Sequence, residues 1–133
     1  TMSGRSGELN ATGEYVRVTD DPGGALFGSV LAMPRAFSNV LSWLTGNRQG
    51  IWQSDRRPMD TDEALLGLAR AASLNPAHLI GLDRKVPSGI GDGTGELVVG
   101  KCADLTLATL SGRPGAYKLS VKHTILEGRD LLK

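Results

Sequence analysis

The stretch GELVVGKCADLTLATL, residues 95–110, breaks at Gly100-Lys101 and then alternates apolar and polar residues. Ala103, Leu105 and Leu107 fall on one face of the strand this pattern predicts. Two strands alone are marginal in water, so the stretch has to belong to a larger sheet. The sequence on either side must supply it.

Downstream, YKLSVKHTIL (residues 117–126) puts Tyr117, Leu119, Val121 and Ile125 on one face and Lys118, Ser120, Lys122 and Thr124 on the other. LEGRDL closes the chain with a tight turn at Glu127-Gly128. The last third therefore predicts about four strands joined by Gly-rich turns, with no helix among them.

Upstream the period changes. Pro34 suits a first helical turn, where its missing N–H costs nothing, and Phe37, Val40, Leu41 and Leu44 then form one apolar stripe that stops near Gly46. Asp60 and Glu63 are spaced as a capping box ahead of a second helix, with Ala64, Leu65, Leu68, Ala69 and Ala72 on one face. Asn75-Pro76 is expected to break this helix and start a short third one, Asn75 as its cap, ending at Gly81. Residues 1–29 read as mostly loop around one short strand, EYVRV, and NRQGIWQSDRRPM (residues 47–59) as a surface connection that Ile51 and Trp52 anchor.

Composition sets the bounds. A chain of 133 residues suffices for one core, its hydrophobic content is 40%, and its net charge of +1 offers no field for nucleic acid. No apolar run approaches the length of a membrane span, and TMSGRSGEL lacks the apolar centre of a signal peptide. Cys102 is the single cysteine, which excludes an internal disulfide and points to a reducing, cytoplasmic compartment.

Residue chemistry alone assembles no active site. SGIGDGTGE (residues 88–96) fits neither the dinucleotide fingerprint nor the P-loop spacing, and no helix follows to hold a phosphate. His78 and His123 have no further ligands at metal-site spacing. Asp20 and Asp21 precede Pro22-Gly23 as turn chemistry, and Cys102 reads as a small apolar residue. Thr1 has no local base to make it a nucleophile. Catalytic residues and metal ligands expected from the residues alone are none.

The order of segments carries a resemblance. LARAASLNPAHLIGLD (68–83), GELVVGKCADLTLATLSG (95–112) and VKHTILEGRDLL (121–132) together resemble the C-terminal end of the amidohydrolase superfamily. Its recognisable pieces, N-P-A-x-x-x-G and G-x-x-x-x-G-K-x-A-D-L, stand here as Asn75–Gly81 and Gly95–Leu105. At the front, TGEYVRV followed by GALFGSVLAMPRAFSNVL resembles the N-acetylglucosamine-6-phosphate deacetylase family, whose L-x-G-S-x-L-x-M motif matches Leu26, Gly28, Ser29, Leu31 and Met33.

The resemblance implies an α/β fragment: the last helices of a (β/α)8 metal-dependent hydrolase barrel in residues 1–82, then β-sandwich strands in residues 83–133. It implies amide hydrolysis of an N-acetylated amino-sugar phosphate by a complete enzyme that holds zinc or iron on upstream Glu and His ligands. The family's general acid/base Asp would stand just before Thr1-Met2-Ser3, so the chain by itself is expected to be inactive and to bind no metal. Leu26, Phe27 and Gly28 match the family's substrate-contacting loop, and Phe27 replaces a small residue there. That replacement leaves room for an amidohydrolase of another substrate class, such as cyclic amides or dipeptides. Partly missing sandwich strands imply exposed edges, and so a complementary N-terminal fragment or a homo-oligomer as partner. A noncatalytic oligomeric interaction module is the reading from outside the enzymes.

Overall fold

Three short strands, where one was expected, organise the front of the chain. The computed structural model describes residues 6–21, 23–47, 57–84 and 93–132. Within them β1 (Gly7–Leu9), β2 (Tyr15–Val18) and β3 (Leu26–Ser29) form an antiparallel sheet in the order β1-β2-β3. The expected strand EYVRV is β2; β1 and β3 beside it were missed because strands of three and four residues show too few alternations to register as a period. Local side-chain chemistry sets the sheet instead. Asn10 Oδ1 accepts from the amides of Glu14 at 2.7 Å and Tyr15 at 3.0 Å, closing the β1–β2 connection. Asp21 performs the turn chemistry expected of it, its carboxylate accepting from the Gly23 amide at 2.8 Å.

The chain divides into two compact units, Thr1–Ala36 and Phe37–Lys133, and α1 (Met33–Thr45) runs across that division. The second unit holds α2 (Thr61–Ala69), a π-helical segment (Arg70–Leu74), α3 (Asn75–Leu79) and an antiparallel sheet of β4 (Leu105–Arg113), β5 (Ala116–Leu126) and β6 (Arg129–Asp130). Among the described residues this tail has three strands, not four. The backbone turns through Val98–Lys101 with Gly100 at φ 95° and runs irregularly through Cys102–Asp104 before β4 begins. Pro114-Gly115 and Glu127-Gly128 make the two hairpin turns. Both residues of the latter have positive φ, 49° and 79°, as a tight type I′ connection requires.

Two expectations for the helices need correction. Asp60 caps α2 through the Asp62 amide at 2.9 Å, but Asn75-Pro76 breaks nothing. The helix continues because the Arg70–Leu74 segment widens by one residue: the Asn75 N–H reaches back to Arg70 O. A proline ring crowds the carbonyl four residues earlier, and a π turn relieves that crowding without ending the helix. Asn75 consequently sits at φ −63°, ψ −45°, inside the helix and not as its cap.

The buried face of α1 is also displaced from the predicted stripe. Leu41 is fully buried, but its companions are Ser38, Ser42 and Thr45, while Phe37, Val40 and Leu44 are only half-buried. Three hydroxyls are tolerated inside because each accepts a strand-side amide: Leu119 N–H to Ser38 at 2.8 Å, Tyr117 N–H to Ser42 at 2.8 Å, and Gly115 N–H to Thr45 at 3.2 Å. Gly46 then meets the β4–β5 turn so closely that a Cβ there would lie 2.8 Å from Gly115 Cα.

Candidate functional site

Leu26, Phe27 and Gly28 lie together on β3, an edge strand of the front sheet, where the resemblance expected a loop. Their environments differ. Arg17 pairs with Leu26 and Val16 with Gly28, so the register shifts there and leaves Phe27 as the residue of a bulge. Its ring turns onto β1: a Cβ at Gly7 would be 3.0 Å from Phe27 Cδ1 and 2.6 Å from Val16 Cγ1. Gly7 thus makes room for an aromatic lid, and Phe27 is half-buried inside its own sheet. Leu26, by contrast, is 72% exposed. Gly28 is exposed too, its φ is not positive, and a Cβ added there meets nothing within 4 Å. Neither conformation nor packing calls for glycine at 28.

The flanking polar groups are surface chemistry. The Arg17 guanidinium lies 5.4 Å from the centre of the Tyr15 ring and donates to Tyr15 Oη at 3.2 Å. Arg35 pairs with Glu14 at 2.9 Å, both side chains about half exposed.

The tail motifs behave in the opposite way. Asn75–Gly81 and Gly95–Leu105 meet, and several of their fixed motif positions have a folding reason. Ala77 is buried, and a Cβ on Gly95 would be 2.7 Å from Ala77 Cβ while Gly95 holds φ 96°. Gly81, at φ 75°, ends α3 as the Leu82 N–H returns to Ala77 O at 2.8 Å. Ser73 Oγ donates to Gly95 O at 3.1 Å, Thr94 N–H to Leu82 O at 2.8 Å, and Lys101 Nζ to Asp83 O. The first two of these bonds join the segments on either side of 82/83, the expected domain boundary. Asp104 joins three segments: one oxygen accepts from the Glu127 amide at 2.9 Å, the other from Thr94 Oγ1 at 2.8 Å. The Glu127 amide, ahead of Thr94 and Cys102, holds the Asp104 carboxyl below the usual carboxylate range. Burial, then Asp104 beside it, pushes the Cys102 thiol up, away from the thiolate that a nucleophile needs.

Both histidines have a partner that sequence spacing did not reveal. His78 Nδ1 lies 2.7 Å from Asp83 across the Gly81 turn, and His123 Nδ1 lies 2.7 Å from Asp130 across the Glu127-Gly128 turn. The available signal was an Asp five or seven residues on with a Gly between, a pattern too common to single out. The His78 hydrogen bond is the main cause that lowers the Asp83 pKa; for Asp130 it is the Leu132 amide, then His123. Each imidazole has one carboxylate, and among the described residues no three His, Cys, Asp or Glu side chains converge. A divalent metal finds no ligand set among them.

Comparison with known proteins adds nothing to this geometry. No family model, curated protein or solved structure matches the chain. Among the described residues no helix is long and apolar enough to cross a membrane. Residues 85–92, with Gly89 and Gly91, and Thr1, Ile51 and Trp52 lie outside the described residues.

Proposed function

We propose that these 133 residues are the C-terminal portion of a metal-dependent amidohydrolase resembling N-acetylglucosamine-6-phosphate deacetylase. One contrast in the geometry supports the reading. The tail-motif residues Gly81, Gly95, Lys101 and Asp104 are tied into the fold, whereas in the front motif, beyond the strand pairing to β2, the Leu26 side chain is exposed and a Cβ at Gly28 would meet nothing. A glycine without a conformational or steric role leaves the backbone open to close approach by something else, and substrate is what the family motif brings there.

In this reading the chain supplies the strand that lies along an N-acetylated amino-sugar phosphate. Upstream Glu and His residues hold zinc or iron, which when bound polarises the amide carbonyl and lowers the pKa of a metal-bound water. An upstream Asp moves the proton. Phe27 favours no other substrate class on these grounds, because its ring is spent on covering Gly7. The exposed side chains of Leu79, Ile80, Leu97 and Val99 support a complementary polypeptide as partner, with self-association in its absence.

The test is acetate release from N-acetylglucosamine 6-phosphate with added zinc. The chain alone is expected to be inert, and the chain combined with a polypeptide carrying the upstream ligands to be active. Turnover by the combined polypeptides of a cyclic amide or dipeptide, but not of the amino sugar, would sink the substrate assignment. An inert combination that nevertheless assembles and binds metal would favour the noncatalytic module.

A further inference from the structure

The first half of β5 has two edges with different protection. One pairs with β4. The other shows its amide row to α1, and the amides of Gly115, Tyr117 and Leu119 each end on a helix hydroxyl. Tyr117 and Leu119, two apart on the extended strand, present their amides to the same side, and the Gly115 amide of the turn before β5 joins them. Ser38, Ser42 and Thr45 stand at i, i+4 and i+7 of a helix, hence on one face. The repeats fit: four helical residues rise about 6 Å and two strand residues about 6.7 Å. Two of the hydroxyl protons have their own use, Ser42 donating to Ser38 O and Thr45 to Leu41 O, both at 2.8 Å, which leaves oxygen lone pairs for the strand.

Among the described residues the far edge of the same sheet has no such cover. β4 is the edge strand, largely exposed, and it carries no charged residue from Leu105 to Gly112. An uncharged open edge is a template for another strand. If both sheet edges were open, β4 of one copy would pair with β5 of the next, a head-to-tail contact that grows without closing.

We propose that α1 is an edge guard: its three hydroxyls occupy the amide row on which β4 of a second copy would otherwise add. Within this sheet the guard leaves β4 as the long edge open to pairing between copies. This inference does not depend on the function proposed above.

The test is the triple variant S38A/S42A/T45A against the parent chain, with two readouts. At a concentration where both have the same mass, amide exchange at Gly115, Tyr117 and Leu119 is expected to accelerate about tenfold, while Lys118 and Ser120, which face β4, stay protected. On concentration the variant is expected to form species larger than any the parent forms, by light scattering. The single variant Ser42→Ala serves if the triple one fails to fold, with acceleration expected at Tyr117 alone. Equal acceleration along β5, or none, would overturn the proposal, since the hydroxyls would then merely fill space. Freed amides without larger species would overturn it as well.

Discussion

Gly28 and Gly95 stand in the two regions that carry the motifs, and they ask opposite things of the fold. Gly95 is fixed twice, by φ 96° and by an approach to Ala77 that leaves no room for a Cβ. Gly28 has an ordinary backbone and open space around it. Folding explains the first glycine completely and the second not at all. The tail-motif glycine that folding uses identifies an architecture, whereas Gly28, which folding does not use, is where the proposed function puts substrate.

The most severe way to break the tail is Gly95→Ala, which adds a steric clash to a left-handed backbone. A loss of about 3 kcal/mol is expected from urea unfolding. A loss under about 0.5 kcal/mol would mean that the junction with Ala77 is loose. Asp104→Asn is expected to cost about 1.5 kcal/mol at neutral pH, because a charged acceptor shared by the Glu127 amide and the Thr94 hydroxyl becomes a weaker one.

The same region answers to acid. Asp83, Asp104 and Asp130 all have carboxyl pKa values lowered from 3.8 in the folded chain. Their contribution is therefore complete above the unfolded carboxylate value and is lost as pH falls through it toward the folded values. The melting temperature should be flat above about pH 5 and fall below about pH 4, with a shallower fall in Asp104→Asn. An acid limb unchanged by that substitution would remove Asp104 from the account. The smallest expected change is a gain: Gly67, exposed in α2 with nothing within 4 Å of an added Cβ, should stabilise the chain by up to about 0.8 kcal/mol as alanine.

What the sequence disclosed follows the same division. Strong local signals carried through: Pro34 in the first turn of α1, its end at Gly46, the Asp60 cap and the Glu127-Gly128 turn all stand where the residues put them. Signals that depend on a distant partner did not. Ser38, Ser42 and Thr45 look like a solvent-facing stripe, and only the amides of residues 115–119, some 70 to 81 positions away, make them a buried one. Asn75-Pro76 looks like a break until the π turn before it takes up the strain. In the front sheet, Leu26–Gly28 is visible only by resemblance. Its bulge and the Phe27 ring over Gly7 arise from strand pairing, which strands of three or four residues do not announce.

Gly28→Ala tests the contrast most directly, read by thermal unfolding of the chain and by KM for N-acetylglucosamine 6-phosphate in the combined enzyme. The account predicts stability within about 0.5 kcal/mol of the parent and a KM raised about tenfold or more. A variant that loses stability as Gly95→Ala does, or that keeps its KM, would contradict it.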